Sequence, residues 1–181
     1  MYLLKNYIYQ SSPNIITIVM LFGILIWGSL GYLSVKSKRK SQVWKTVNIV
    51  GIIGGTMVVL YATLLTRQSV AREIIIVPFY SFYEALKQPE YYRSMLMNVF
   101  LFEPIGLTLP FVLPDRICKK TMFTLVFGFL FCAGVEIIQA ILCLGRAEVD
   151  DIICNTLGCA MGTGAHLISK ALQRRLLCKK I

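Results

Sequence analysis

The sequence is poor in the residues that usually carry chemistry. It has one histidine, and its six cysteines (118, 132, 143, 154, 159 and 178) include no C-x-x-C pair and no metal-ligand spacing. They read as small apolar fillers and free thiols. No G-x-S-x-G, H-E-x-x-H or glycine-rich phosphate loop occurs, which excludes the common hydrolase, zinc-protease and nucleotide-binding signatures. Neither a cofactor nor a bound metal is expected. Acidic residues are scarce, 9 against 19 Lys and Arg, for a net charge of +10. That excess is not a nucleic-acid footprint, because there is no recognition motif and no basic helical face of useful length. No small-x-small cleavage site follows the first apolar run, so that run reads as a retained helix rather than a removable signal peptide. Internal repeats and low-complexity segments are also missing.

Apolar sequence is what remains in abundance. Hydrophobic residues make up 56% of the 181, with a mean hydropathy of +0.67. Several windows exceed the roughly 18 apolar-dominated residues that cross a bilayer. The expected fold is all-α, a single polytopic membrane domain over 1–181 with about five transmembrane helices. These are placed at 14–35, 46–65, 95–113 (broken by Pro104), 121–144 and 151–168. The loop 66–94 contains an apolar run, Ile74 to Val77, and then Phe79, Phe82 and Leu86 on one helical face. It is expected to lie as an interfacial or re-entrant segment over one end of the bundle.

Lys and Arg set the orientation. Thirteen of the 19 fall in the 36–45 loop, the 114–121 loop and the tail from Lys170, and six on the opposite side. The positive-inside rule puts the N-terminus outside and the C-terminus in the cytoplasm, with the basic loops against anionic lipids.

Against this apolar background, Glu136, Gln139, Arg146, Asp150, Asp151 and Asn155 crowd into one helical hairpin. A charge at bilayer depth costs roughly 2.5–3.5 kcal/mol on insertion scales, so such groups are candidates for function. Glu136 and Gln139 share a helix face, as do Asp151 and Asn155, with Gly158 and Gly162 continuing that face for close approach to a neighbour. Asp150 is assigned to capping its own helix and Asp151 to the site. Arg146 either pairs with Glu148 in the turn, reaches down to Glu136, or meets an anionic ligand. Glu103 and Glu136 each lie roughly 12 Å below the same surface, at 1.5 Å per residue. Should they face one another, they would share a proton or recruit a cation. Arg67 and Asn98 complete the candidate binding set; Glu103 and Arg72 are possible additions. His166 lies deep at the other end and reads as packed or snorkelling.

The run Asn98-Val99-Phe100-Leu101-Phe102-Glu103-Pro104-Ile105-Gly106, with Leu109-Pro110, resembles the N-x-x-L-F-x-P-x-G segment of the VanZ-like family. Glu136 and Gln139, Arg146 before Asp150-Asp151, and Asn155, Gly158 and Gly162 are similar to its later blocks in order and spacing. Thr66-Arg67 and Val77-Pro78-Phe79 match upstream positions. The likeness covers about 45–168, with Ile75 in place of a frequent Asn and Glu103 where apolar residues are usual. It implies a bacterial cytoplasmic membrane protein associated with low-level resistance to the lipoglycopeptide teicoplanin, and it supplies no reaction.

The leading expectation is therefore a binding module. An outward-facing polar cleft would hold the headgroup of an amphiphile, either a membrane lipid or the lipoglycopeptide antibiotic itself. The alternative is an enzyme modifying an envelope lipid or peptidoglycan precursor, with Glu136 or Asp151 as general base. A small transporter or an assembly partner is the weaker third reading. Oligomeric state is not legible.

Overall fold

Long apolar runs have one simple way to satisfy backbone N–H and C=O groups away from water, the α-helix. In the computed structural model, which describes residues 40–67, 69, 72–114 and 119–178, such helices dominate. The elements are α1 (Lys40–Leu60), continued by a π-helical turn (Tyr61–Leu65), β1 (Glu73–Ile75), α2 (Tyr80–Ala85), α3 (Pro89–Val112), α4 (Lys120–Leu142), β2 (Arg146–Glu148) and α5 (Val149–Cys178). The helix expected at 14–35 and residues 36–39 of the basic loop after it lie outside the described residues, while 40–45, expected in that loop, form the start of α1.

Three helical stretches among the described residues are long and apolar enough to cross a membrane: Lys45–Leu65, Glu90–Val112 and Lys120–Leu142, of 21, 23 and 23 residues. At about 1.5 Å per residue they reach roughly 31–35 Å, matching a hydrocarbon core of about 30 Å. Their outward faces are apolar. Val50, Ile53 and Met57 on α1, Leu65 in the π-helical turn, and Met122, Leu130, Ile137 and Ile141 on α4 are all exposed. A continuous apolar surface of that kind suits lipid rather than water.

Inside, α3 and α5 cross so closely that backbone meets backbone. A Cβ on Gly158 would collide with the Val99 carbonyl, one on Gly162 with the Glu103 carbonyl, and one on Gly106 with the Cys159 carbonyl. Small residues permit this approach where lipid offers no hydrophobic drive between helices. Val59, Phe102, Ile105, Cys132 and Cys159 join α1, α3, α4 and α5 in one apolar cluster. A second, around Val99 and Cys154, lies beneath Phe82 of α2. Deep in the bundle, the His166 ring packs edge-on to Phe111 at 4.4 Å between centroids.

Several expectations are corrected. The fold is mostly helical but not purely so, since β1 and β2 form a small parallel sheet pairing Glu73 with Arg146 and Ile75 with Glu148. A bridge between Ser69 and Leu144 extends the contact. The segment 66–94 is structured: it holds β1, α2 and the start of α3, which begins at Pro89 rather than near 95. Proline at N1 and Glu90 in the first turn suit that start. Pro104 does not break α3, which runs on through Pro104 and Pro110. The neighbour that the glycine face of α5 meets is α3.

Candidate functional site

The C-terminal ends of α1 and α4 and the N-terminal ends of α3 and α5 meet at one end of the bundle, and polar groups meet there too. Helix ends leave unpaired carbonyls, and the Thr63 carbonyl in the π-helical turn accepts Gln139 Nε2 at 2.9 Å. Asn98 Nδ2, from α3, donates to Asp151 Oδ1 at 2.5 Å. Arg67, just past the π turn, approaches the other Asp151 oxygen at 3.8 Å and the Arg146 carbonyl at 3.4 Å. Gly145 makes room for it: φ is +81° there, and an added Cβ would lie 2.9 Å from Arg67 Nη1.

Strand β2 supplies the rest. Alternation along a strand puts Arg146 and Glu148 on one face and Ala147 on the other. Arg146 Nε pairs with Glu148 Oε1 at 3.1 Å, and Nη1 donates to the Tyr91 hydroxyl at 3.1 Å. The hydrogen bond to Tyr91, and then the nearby Glu148 charge, hold the guanidinium above its ordinary pKa. Glu148 is fully engaged. Its Oε2 accepts the Ser81 hydroxyl at 2.5 Å, and its backbone N–H donates to Glu136 Oε2 at 3.2 Å.

Between α2, α3 and β2 lies a half-open cavity of about 280 Å³, lined by Ser81, Gln88, Glu90, Tyr91, Ser94, Met95, Arg146, Glu148 and Asp151. Met95 is the one apolar side chain in that wall. The segment that supplies Ser81 and Gln88 also carries Ile76, Val77, Phe79, Tyr83 and Leu86, all exposed. One short segment thus contributes both to a polar hollow and to an exposed apolar lip.

Of the residues expected in the site, Arg146 and Asp151 line this cavity, with Asn98 and Arg67 bonded to Asp151 behind it. Glu136 stands one layer back, holding β2 through the Glu148 N–H, so Arg146 does not reach down to it. Gln139 joins α4 to α1. Asn155 donates to Cys132 Sγ at 2.9 Å, inside the α4–α5 contact. Asp150 caps no turn of its own helix; it accepts the backbone N–H groups of Phe79 and Ser81, each at 2.6 Å. Glu103 is buried on α3, and its carboxyl has no hydrogen bond or ion pair with the described residues, Glu136 included. Arg72 is exposed ahead of β1 and does not line the cavity. No group of metal-ligating side chains occurs among the described residues.

The sequence reading missed Ser81 and Tyr91, and it treated Glu148 only as a turn partner of Arg146. The i, i+2 spacing of Arg146 and Glu148 was the available signal for the last. Ser81 and Tyr91 give none, since only tertiary folding brings them near.

A family model described as VanZ/LLP1 matches residues 15–170. The chain is also similar to a protein named Protein VanZ from Enterococcus faecium, 32% identical over 93 residues, covering 48% of this chain and 55% of that relative. It therefore spans about half the length of the curated relative it matches. No solved structure matches it. With a family match over most of its length and three helices of membrane-crossing length, the chain is a membrane protein and belongs to the VanZ/LLP1 family.

Proposed function

We propose that the cavity beside Arg146 binds the headgroup of an amphiphile whose apolar part stays in lipid, and that this binding underlies a VanZ-like association with low-level teicoplanin resistance. The carrying observation is that the segment supplying Ser81 and Gln88 to the polar cavity also presents the exposed apolar side chains of Phe79, Tyr83 and Leu86. One ligand with a charged head and a fatty tail fits both surfaces; neither a purely polar nor a purely apolar ligand does. In this reading the protein is a multi-pass protein of the bacterial cytoplasmic membrane. The cavity end faces outward and the basic end faces the cytoplasm, as the distribution of Lys and Arg favours. The bound species is the lipoglycopeptide itself or an envelope lipid that governs its access.

Holding is favoured over turnover by one feature. Of the two candidate general bases, Glu136 is engaged by the Glu148 backbone and does not line the cavity, and Asp151, which does, has one oxygen on Asn98 and the other facing Arg67. The test is mass spectrometry of lipids and small molecules retained by the purified full chain, beside Arg146→Ala. The expected result is a species enriched on the wild type and depleted about tenfold on the variant, the effect of 1.4 kcal/mol in binding. Identical retained species at identical abundance would remove the proposal.

A further inference from the structure

We infer that the headgroup taken by this cavity carries a protonated amine, so that the ligand is a zwitterionic or cationic amphiphile rather than a purely anionic one. This rests on the binding reading above and narrows its ligand class. Around the cavity stand three carboxylates, Glu90, Glu148 and Asp151, and one guanidinium, Arg146. Arg67 compensates Asp151 from behind and is not part of the wall.

The cation in the wall is already engaged. Arg146 Nε is on Glu148 at 3.1 Å and Nη1 on Tyr91 at 3.1 Å, with the guanidinium 5.3 Å from the Tyr91 ring centroid. A phosphate or carboxylate with no compensating charge would compete with Glu148 for that guanidinium. It would do so facing two more carboxylates, and like charges brought together at a binding surface are strongly rejected. A primary ammonium meets the opposite situation. It has three N–H donors and no acceptor, and Gln88, Glu90 and Ser94, three exposed residues that all offer acceptor oxygens, line the same cavity. Arg146 Nη2, which makes no bond with the described residues, remains for an anionic group on the same ligand. A zwitterion satisfies both ends.

The test uses the full chain in detergent and three probes, followed by titration calorimetry below the micellar concentration of the lipids. Dihexanoyl-phosphatidylethanolamine carries the ammonium, and dihexanoyl-phosphatidylglycerol has the same chains and a net negative head. Phosphoethanolamine is the ammonium head without chains. The ethanolamine lipid is expected to bind at least about tenfold more tightly than the glycerol lipid, with Glu90→Gln narrowing that gap about threefold. Glu90 is exposed, so its neutral isostere keeps the fold; Glu148→Gln, which removes a bonded charge, is the harsher second variant. Equal or tighter binding of the glycerol lipid overturns the inference and leaves the amphiphile reading standing. So does an unchanged gap in both variants, which would place the preference elsewhere. Phosphoethanolamine binding as tightly as the lipid would support the amine and overturn the amphiphile. Binding by none of the three would overturn both.

Discussion

The Ser81 backbone N–H donates to Asp150 Oδ2 at 2.6 Å, and the Phe79 N–H donates to Oδ1 of the same carboxylate, also at 2.6 Å. A short helix, α2, begins there without a cap of its own: Phe79 sits at φ 63°, and no side chain of the local sequence bonds to the first turn. The anion that favours a helix N-terminus is delivered from α5 instead. Two hydrogen bonds to one carboxylate thus tie the start of α2, with its exposed apolar side chains, to α5.

Removing that carboxylate should free the lip while leaving the bundle intact. Asp150→Ala leaves two amide donors without their acceptor, at a cost of about 1–3 kcal/mol each where they stay buried. Hydrogen exchange across 76–86 should accelerate, whereas α3 and α5 keep their protection. Asp150→Asn, which retains an acceptor oxygen, should fall between. Unchanged exchange over 76–86 in Asp150→Ala would show that the contact does not hold the segment.

The α3–α5 crossing gives a second prediction. Gly158→Ala places a methyl group into the Val99 carbonyl, backbone that cannot step aside, whereas a Cβ on Gly134 meets nothing within 4 Å. Overpacking of this kind costs about 1–3 kcal/mol. Thermal unfolding in detergent should therefore show a clear loss for Gly158→Ala and little change for Gly134→Ala. Equal melting temperatures would contradict the close crossing.

These contrasts also show what the sequence could and could not reveal. The one-ended gathering of Asn98, Arg146 and Asp151 was legible because polar side chains in apolar helices are costly enough to need a reason. The partner of Gly158 was not: a small-x-x-x-small face announces a close neighbour without saying which helix provides it. Ile74 to Val77 was read as too apolar for water, although a run of β-branched residues also signals a strand. Its partner, β2, lies some seventy residues away, so no local pattern announced the pairing. Asp150 was assigned to its own helix because capping is the local use of such a residue; folding gave it a more distant one.

Asn98 and Asp151 should prove coupled. Their 2.5 Å hydrogen bond is buried and joins α3 to α5 beside the cavity. A double-mutant cycle of Asn98→Ala and Asp151→Ala, read by unfolding, should return an interaction of about 0.5–3 kcal/mol, the range for residues sharing one bond. Strict additivity would mean that the two groups do not depend on each other in the folded protein.

Arg146 should resist conservative replacement. Its guanidinium reaches Glu148 with one nitrogen and Tyr91 with another, 3.1 Å in each case, and a lysine ammonium is a point charge that cannot reproduce this planar fork. Arg146→Lys should therefore reduce ligand retention nearly as far as Arg146→Ala, and Tyr91→Phe, which removes one of the two partners, should reduce it less. The pH response separates charge from shape. Because Tyr91 and then Glu148 raise the Arg146 pKa above an already high ordinary value, the cation is fully present at any lower pH and is lost only as pH rises through that elevated value. Retention measured between pH 5 and pH 9 should thus show no transition belonging to Arg146, and any transition seen there should survive in Arg146→Lys. Full retention by the lysine variant would show that positive charge alone suffices at this position.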